Sequence, residues 1–404
     1  MDTSFQFTYT ILQSILFVLL LLPTLYIFVF ATAGIFYRQP PYPVSQSRRK
    51  IAVLIPGYKE DDVILEVAQD ALLQDYPQEW YDVVIVADSF QQTTIKQLQK
   101  LPVKVIEVKF EKSTKSKALN RAMEQLTDEY EVAVVLDADN LMAADFLSKV
   151  NAAFEKDFMA VQGHRTAKNV DTNLAILDAV SEEINNQIFR KGHRVLGLSS
   201  AIIGSGMAFR YDFFRNLMIS VTAIGGFDKE IELKMLKNNF KIEYLDDALV
   251  FDEKVQKAEV FSNQRRRWLS AQLHYFLQDF GSSLSALIRH GNIDYFDKAM
   301  QFIQPPRILL LGAVFLFSAI FLVTNFFLKT EYWFLIPWIT VLFLCLFSFL
   351  VSIPRRYYNQ NTLKALASLP KGMILMLGSL LKIKGANKQF IHTKHGATKT
   401  ITKI

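Results

Sequence analysis

A single cysteine, Cys345, serves the whole 404-residue chain. It lies inside an apolar run, so no disulfide can form within the chain and no cysteine-built metal site is available, as suits a domain facing a reducing compartment. Charge is missing from Thr3 to Tyr37. No basic cluster opens the chain, and the apolar run from Ile11 to Ile35 outlasts the roughly 7–15 residues of a secretory leader, which argues against cleavage. Also lacking is any block of Lys and Arg interleaved with stacking aromatics outside the membrane-proximal regions. The formal charge of +6 is therefore read as attraction to a membrane surface, with no nucleic acid among the expected partners.

What is abundant is apolar: 51% of the residues are hydrophobic, and the 33 phenylalanines crowd the two ends of the chain. Ile11–Ile35 is long enough to cross a bilayer core of about 30 Å. Two further uncharged runs, Ile308–Leu328 and Tyr332–Pro354, are separated only by Lys329, Thr330 and Glu331 and read as a transmembrane hairpin, giving three predicted spans. Arg38, Arg48, Arg49 and Lys50 follow the first run, Arg307 precedes the second, and Arg355 and Arg356 follow the third. Basic flanks stay cytosolic, so the expected topology places the N-terminus outside and both the central domain and the C-terminus inside a cell membrane. Ala365–Leu381, broken by Pro370 and Lys371 and followed by a lysine-rich tail, reads as an interfacial or re-entrant helix.

Between the membrane runs the pattern changes. Ile51–Ile55, Val83–Ala87, Val103–Val108 and Val132–Leu136 are continuous aliphatic runs, as strands covered on both faces require. Asp61–Leu73 carries Ile64, Val67, Ala68, Ala71 and Leu72 at helical spacing. Strand, helix, strand predicts an α/β domain with a parallel sheet of nucleotide-binding type, whose ligands bind beyond the carboxyl ends of the strands. Polar clusters stand at those ends: Pro56-Gly57-Tyr58-Lys59-Glu60, Asp88-Ser89 and Asp137-Ala138-Asp139-Asn140. Two carboxylates one residue apart can address one hard divalent cation, Mg²⁺ or Mn²⁺, and such a cation neutralises a departing diphosphate.

Taken in order, Ile55–Glu60, Lys115–Asn120, Asp137–Asp139 and Gln264-Arg265-Arg266-Arg267-Trp268 resemble the motifs of membrane-bound family 2 glycosyltransferases, the group of the cellulose, hyaluronan and poly-N-acetylglucosamine synthases and the ceramide glucosyltransferases. The resemblance covers about residues 50 to 270. It implies a GT-A fold, a Rossmann-like nucleotide-sugar domain here flanked by N- and C-terminal transmembrane helices. It further implies inverting transfer from a nucleotide diphosphate sugar, most often a uridine diphosphate sugar, to a polysaccharide or lipid-linked acceptor at the cytosolic membrane face. Secretion or assembly subunits are possible partners. Carried over by position, Tyr58, Glu60, Asp88, Lys115, Gln264 and Arg267 would bind the donor, Asp139 would ligate the metal, and Asp137 would serve ribose or metal. Lys115 also reads as one more surface lysine.

Inverting transfer needs a carboxylate to accept the acceptor's proton. The family carries Glu-Asp at this place, whereas this chain has Lys229-Glu230, so Glu230 is the expected base and Asp228 the reserve. The same residues also read as a plain surface helix in which Glu230 pairs with Lys234. Gly204, Ser205, Gly206 and Trp268 are expected on the acceptor side. Trp268, Leu269, Leu273, Phe276, Leu277 and Phe280 are expected to share the apolar face of an interfacial helix, and Phe390–Lys394 resembles the family's closing loop. The resulting division is a membrane anchor over 1–37, a GT-A domain over 45–258, interfacial helices over 259–305, a membrane hairpin over 306–354 and an interfacial or re-entrant helix with a basic tail over 355–404. A catalytically inactive membrane sensor or assembly subunit that binds a nucleotide sugar is the alternative, motivated by the altered motif at Lys229-Glu230.

Overall fold

The protein is described by a computed structural model over residues 3–42, 47–127, 129–327 and 335–383. Its centre is an eight-stranded mixed sheet in the order β3-β2-β1-β4-β7-β6-β8-β5. β1 (Ile51–Tyr58), β2 (Tyr81–Asp88), β3 (Lys104–Val108) and β4 (Val132–Val135) run parallel, as their aliphatic runs predict. One face of the sheet packs on α2 (Ile64–Ala71), α3 (Gln92–Leu98) and α5 (Phe146–Ala153), the other on α4 (Lys115–Gln125), α8 (Tyr211–Ile219) and α9 (Phe227–Lys237). Burial on both faces is what demands unbroken apolar strands.

The expected parallel sheet is half of a larger one. β7 (Met207–Arg210) pairs antiparallel with β4 and with β6 (Ala160–Ala167), β6 runs parallel to β8 (Ile242–Asp252), and the short β5 (Leu141–Met142) closes the edge against β8. β6 holds no aliphatic run. It buries Gln162, His164, Arg165 and Thr166, each supplied with partners.

Of the apolar helices, α1 (Thr3–Ile35) and α12 (Arg307–Phe327) are long enough to cross a membrane. α13 (Ile336–Ser352) is apolar but has only 17 residues, and the segment joining it to α12 lies outside the described residues. α14 (Gln360–Leu366) and α15 (Leu369–Leu381) meet at 50°, the shape of a broken span or a re-entrant pair. Phe390–Lys394 also lies outside the described residues. Between the sheet and the apolar helices come α6 (Asn173–Asn185), capped by Thr172, a π-helical stretch Asn186–Gly192 and the single turn α7 (His193–Val195). The 33-residue α10 (Ala258–His290) ends at Gly291 in the left-handed conformation, and α11 (Ile293–Ile303) packs back along it.

α1 is joined to the central domain by close backbone approach. A Cβ at Gly192 would lie 2.1 Å from the Phe30 carbonyl oxygen, and one at Gly34 would lie 2.6 Å from that of Gln187. Beside this contact the His193 ring stacks on Phe30, and Tyr26 donates to Asp297 of α11 (2.8 Å). The expected stripe on α10 divides instead of forming one face. Leu269 packs with Leu375 and Met376 of α15, Phe276 joins a cluster with α11, and Leu273 and Leu277 stay exposed.

Buried polar residues tie β6 to its neighbours. His164 stands between Glu183 of α6 (3.1 Å) and Asp246 of β8 (2.9 Å), and Arg356, just after α13, reaches Glu183 and Thr166 from the other side. Burial opposes the charge of His164, but Glu183 and Asp246 overcome it and push its pKa up to about 9.

Two outcomes follow from this packing. Gly192→Ala forces backbone against backbone, with an expected loss of about 1–3 kcal/mol seen as a lower unfolding midpoint in detergent; an unchanged midpoint would show that α1 does not dock closely. His164 keeps its proton to about pH 9 when folded and only to about its ordinary 6.5 when unfolded. Its contribution is therefore complete below roughly pH 6.5 and declines as pH rises toward 9. Thermal midpoints measured from pH 6 to 9.5 should fall in the wild type, and more gently in His164→Gln.

Candidate active site

The carboxyl ends of β1, β2 and β4 open into a cavity of about 840 Å³, roofed by α9, α10 and the turn before β7. Tyr58, Glu60 and Asp88 line it from the strand ends. The chain leaves β1 and β2 through left-handed residues, Lys59 (φ 55°) and Ser89 (φ 60°), and Ser89 Oγ donates to Asp88 (2.9 Å). These turns reverse the backbone at once and hold the polar side chains at the sheet edge.

Lys115 is not a loose surface lysine. It opens α4 behind the cap Thr114, and its ammonium touches Asp137 and donates to the Gly204 carbonyl oxygen (2.7 Å). Asp137 and the buried Asp139 both line the cavity. Among the described residues no group of three or more His, Cys, Asp or Glu side chains could enclose a metal ion. Two carboxylates on one turn nevertheless suit a hard cation that completes its shell from a bound diphosphate, so the donor set fits Mg²⁺ or Mn²⁺.

The acceptor-side glycines separate in role. Gly204 lines the cavity, whereas Ser205 and Gly206 do not. Ser205 is fully buried, its hydroxyl accepting the Asp137 backbone N–H (2.9 Å) and lying 2.7 Å from the Asn140 carboxamide. It props the acidic turn from below. Gly206 (φ 64°) lies under Val250, where a Cβ would approach to 2.8 Å, so its need for glycine comes from sheet packing.

The structure separates the two carboxylates expected for the base. Glu230 does not line the cavity. Its carboxylate pairs with Lys234 one turn on (2.8 Å) and accepts the Thr222 backbone N–H (3.3 Å). Asp228 does line it, as does Glu232 one turn later. The cause is helical phase: residues four apart share a face, and the residue midway between them points elsewhere. Gln264, Arg267 and Trp268 of α10 complete the wall, and the Arg265 guanidinium lies over the Trp268 ring (4.4 Å). Burial lowers the pKa of Arg267, and Asp137 and Asp228 oppose that fall, so one guanidinium lies within electrostatic reach of both.

Reading the sequence missed the charged floor. Arg165 pairs with Glu182 (3.0 Å) and faces Asp252 (3.8 Å), Arg190 pairs with Glu182 (3.4 Å), and Lys254 pairs with Asp252 (2.7 Å). All five line the cavity. Burial works against the charge of Arg165, yet Asp252 and Glu182 outweigh it and raise its pKa. Burial likewise works against the charge of Glu182, and Arg165, Lys254 and Arg190 hold its pKa low. The available signal was His164-Arg165 inside a strand-length segment between two apolar elements. A buried pair, Glu232 and Lys298 of α11 (2.7 Å), was missed for the same reason.

Residues 48–271 match the family model described as glycosyltransferase like family 2. Two relatives, the beta-monoglucosyldiacylglycerol synthases of Trichormus variabilis and of Nostoc sp., are each 24% identical over 241 residues, covering 56% of this chain and 50% of theirs. The chain thus spans about half the length of the curated relatives it matches. A mannosyltransferase from Pyrobaculum calidifontis, solved with GDP-mannose and Mn²⁺, superposes with a TM-score of 0.51 at 17% identity, covering 84% of this chain and 96% of that one. That likeness concerns the fold, which is of the GT-A type.

Proposed function

The chain belongs to glycosyltransferase family 2, and from that membership we propose that it is a membrane-bound inverting enzyme transferring a sugar from a nucleotide diphosphate donor to a lipid or glycan acceptor. The observation that carries this reading is Arg267, which feels both Asp137 and Asp228 inside one cavity at the strand ends. A donor diphosphate and an acceptor hydroxyl need those two neighbourhoods side by side.

In this reading Tyr58, Glu60 and Asp88 hold the nucleoside, and Lys115 and Gln264 flank the donor. Asp139, with Asp137, would hold a divalent cation, Mg²⁺ or Mn²⁺, which when bound neutralises charge on the leaving diphosphate. Arg267 offers that diphosphate a planar fork of donors in a largely buried setting. Asp228 accepts the proton of the acceptor hydroxyl while its oxygen forms a bond to the anomeric carbon. The bond from that carbon to the diphosphate oxygen breaks with its electron pair, and the configuration inverts. Trp268 offers a flat ring to the acceptor. The relatives named as glucosyldiacylglycerol synthases and the apolar helices α1 and α12 support a lipid acceptor, with the basic flanks of the apolar runs favouring a cytosolic catalytic face. A binder without turnover was motivated by the altered motif at Lys229-Glu230. Asp228 in the cavity supports turnover over binding alone.

The test is diphosphate release by the full chain in lipid nanodiscs across a panel of uridine and guanosine diphosphate sugars. Asp228→Asn should lower kcat about 10²–10⁴-fold, as loss of a general base does. Glu230→Gln should cost stability of at most about 1 kcal/mol, the scale of a partly exposed ion pair, with little change in kcat. The reverse ranking would return the base to Glu230. Asp139→Ala and chelation should each abolish release, and added Mg²⁺ or Mn²⁺ should restore it only after chelation.

A further inference from the structure

Beyond the donor groups, α9, α10 and α11 supply a second wall of the same cavity. Glu232 and Lys298 stand in it as an ion pair almost wholly withdrawn from solvent, their side chains 3% and 6% exposed. Lys298 also donates to Gln301 (2.9 Å) and lies over the Phe302 ring (5.4 Å). Gln301 is held in turn by Asp297, the acceptor of the Tyr26 hydroxyl of α1. Gln301, Phe302 and Gln272 all line the cavity.

A buried ion pair is weak support for a fold, because apolar side chains of similar size serve stability as well or better. Its position one turn beyond Asp228 gives it another use. Lys298 has three donors and spends two on Glu232 and Gln301, and Glu232 engages Lys298 through one of its two oxygens. A wall that combines carboxylate, ammonium, two carboxamides and a ring matches a ligand with several hydroxyls around an apolar ring face. A lipid bearing one hydroxyl would bring no partner to the Lys298 donor and the Glu232 oxygen that the pair leaves unspent, a loss that sites built for hydrogen bonding impose on ligands lacking the partner.

We propose that Glu232 and Lys298, with Gln272 and Gln301, form the acceptor subsite and select a polyhydroxylated headgroup, a sugar or polyol, over a lipid carrying a single hydroxyl. This rests on the reading of the chain as a transferase with Asp228 as its base. The nucleophilic hydroxyl sits at Asp228, and the remaining hydroxyls of the headgroup exchange hydrogen bonds with the pair.

The experiment offers the full chain, in nanodiscs free of glycosidic detergent, either octyl glucoside below its micellar concentration or dioctanoylglycerol. Octyl glucoside should be the better acceptor by about tenfold or more in kcat/KM, the scale of a missing hydrogen bond to a charged group. Glu232→Gln and Lys298→Met should raise the KM for octyl glucoside about tenfold while the KM for the donor stays in place. Gln272→Ala removes a partner from the partly exposed side of α10 and should act in the same direction even where a change to the buried pair impairs folding. Preference for dioctanoylglycerol, or an acceptor KM unmoved by Gln272→Ala and Glu232→Gln, would overturn the subsite while leaving the transferase reading intact. Absence of diphosphate release with every donor overturns both.

Discussion

Charge held out of water is the constraint on which this structure depends. Arg165, Glu182, Arg190, Asp252 and Lys254 meet beneath the cavity where none could be tolerated alone, and each is admitted by an opposite neighbour. The network joins β6, α6, the π-helical stretch and the end of β8, so the second half of the sheet adds buried ion pairs to the apolar packing that both halves share. Arg165 also reaches Asp137 electrostatically. The acidic turn therefore rests on a floor with a fixed charge pattern, and Ser205 fixes its backbone from the same side.

That difference in fastening explains what the sequence made legible. β1 to β4 were readable because burial on both faces leaves unbroken aliphatic runs, and the rule that ligands bind at strand ends pointed to Tyr58, Glu60, Asp88, Asp137 and Asp139. All five line one cavity. β6 was unreadable because its side chains are polar and its burial is made possible by partners far away in the chain. Helical phase was hard to read in two places. A motif aligned by position names Glu230 as the base, while on α9 the cavity face runs through Asp228 and Glu232. On α10, Trp268 was grouped with apolar neighbours, while it lines the cavity. Gly204, Ser205 and Gly206 add a third lesson. Consecutive residues in one turn do three jobs, one facing the cavity, one bracing the acidic pair and one permitting sheet contact.

The apolar helices are integrated with the α/β domain instead of being tethered to it. Arg356, just beyond α13, enters the His164–Glu183 group, α15 packs on α10, and α1 meets the π-helical stretch through backbone. A π-helical stretch widens the helix by one residue per turn and displaces the side chains that follow it, a feature frequent at functional sites. Here it carries Phe189 and Arg190 to the cavity while presenting Gly192 to α1 on its other side.

The contact of Gly34 and Gly192 has a practical meaning for anyone who would re-engineer this chain. Because two backbones touch there, the first helix is keyed in rotation and depth, like a shaft in a slot. Replacing it with an unrelated hydrophobic helix of equal length would retain the apolar length but lose the key, and with it the support that Tyr26 gives to Asp297 and Gln301 at the cavity wall. Chimeras should therefore exchange α1 and the π-helical stretch as one cassette.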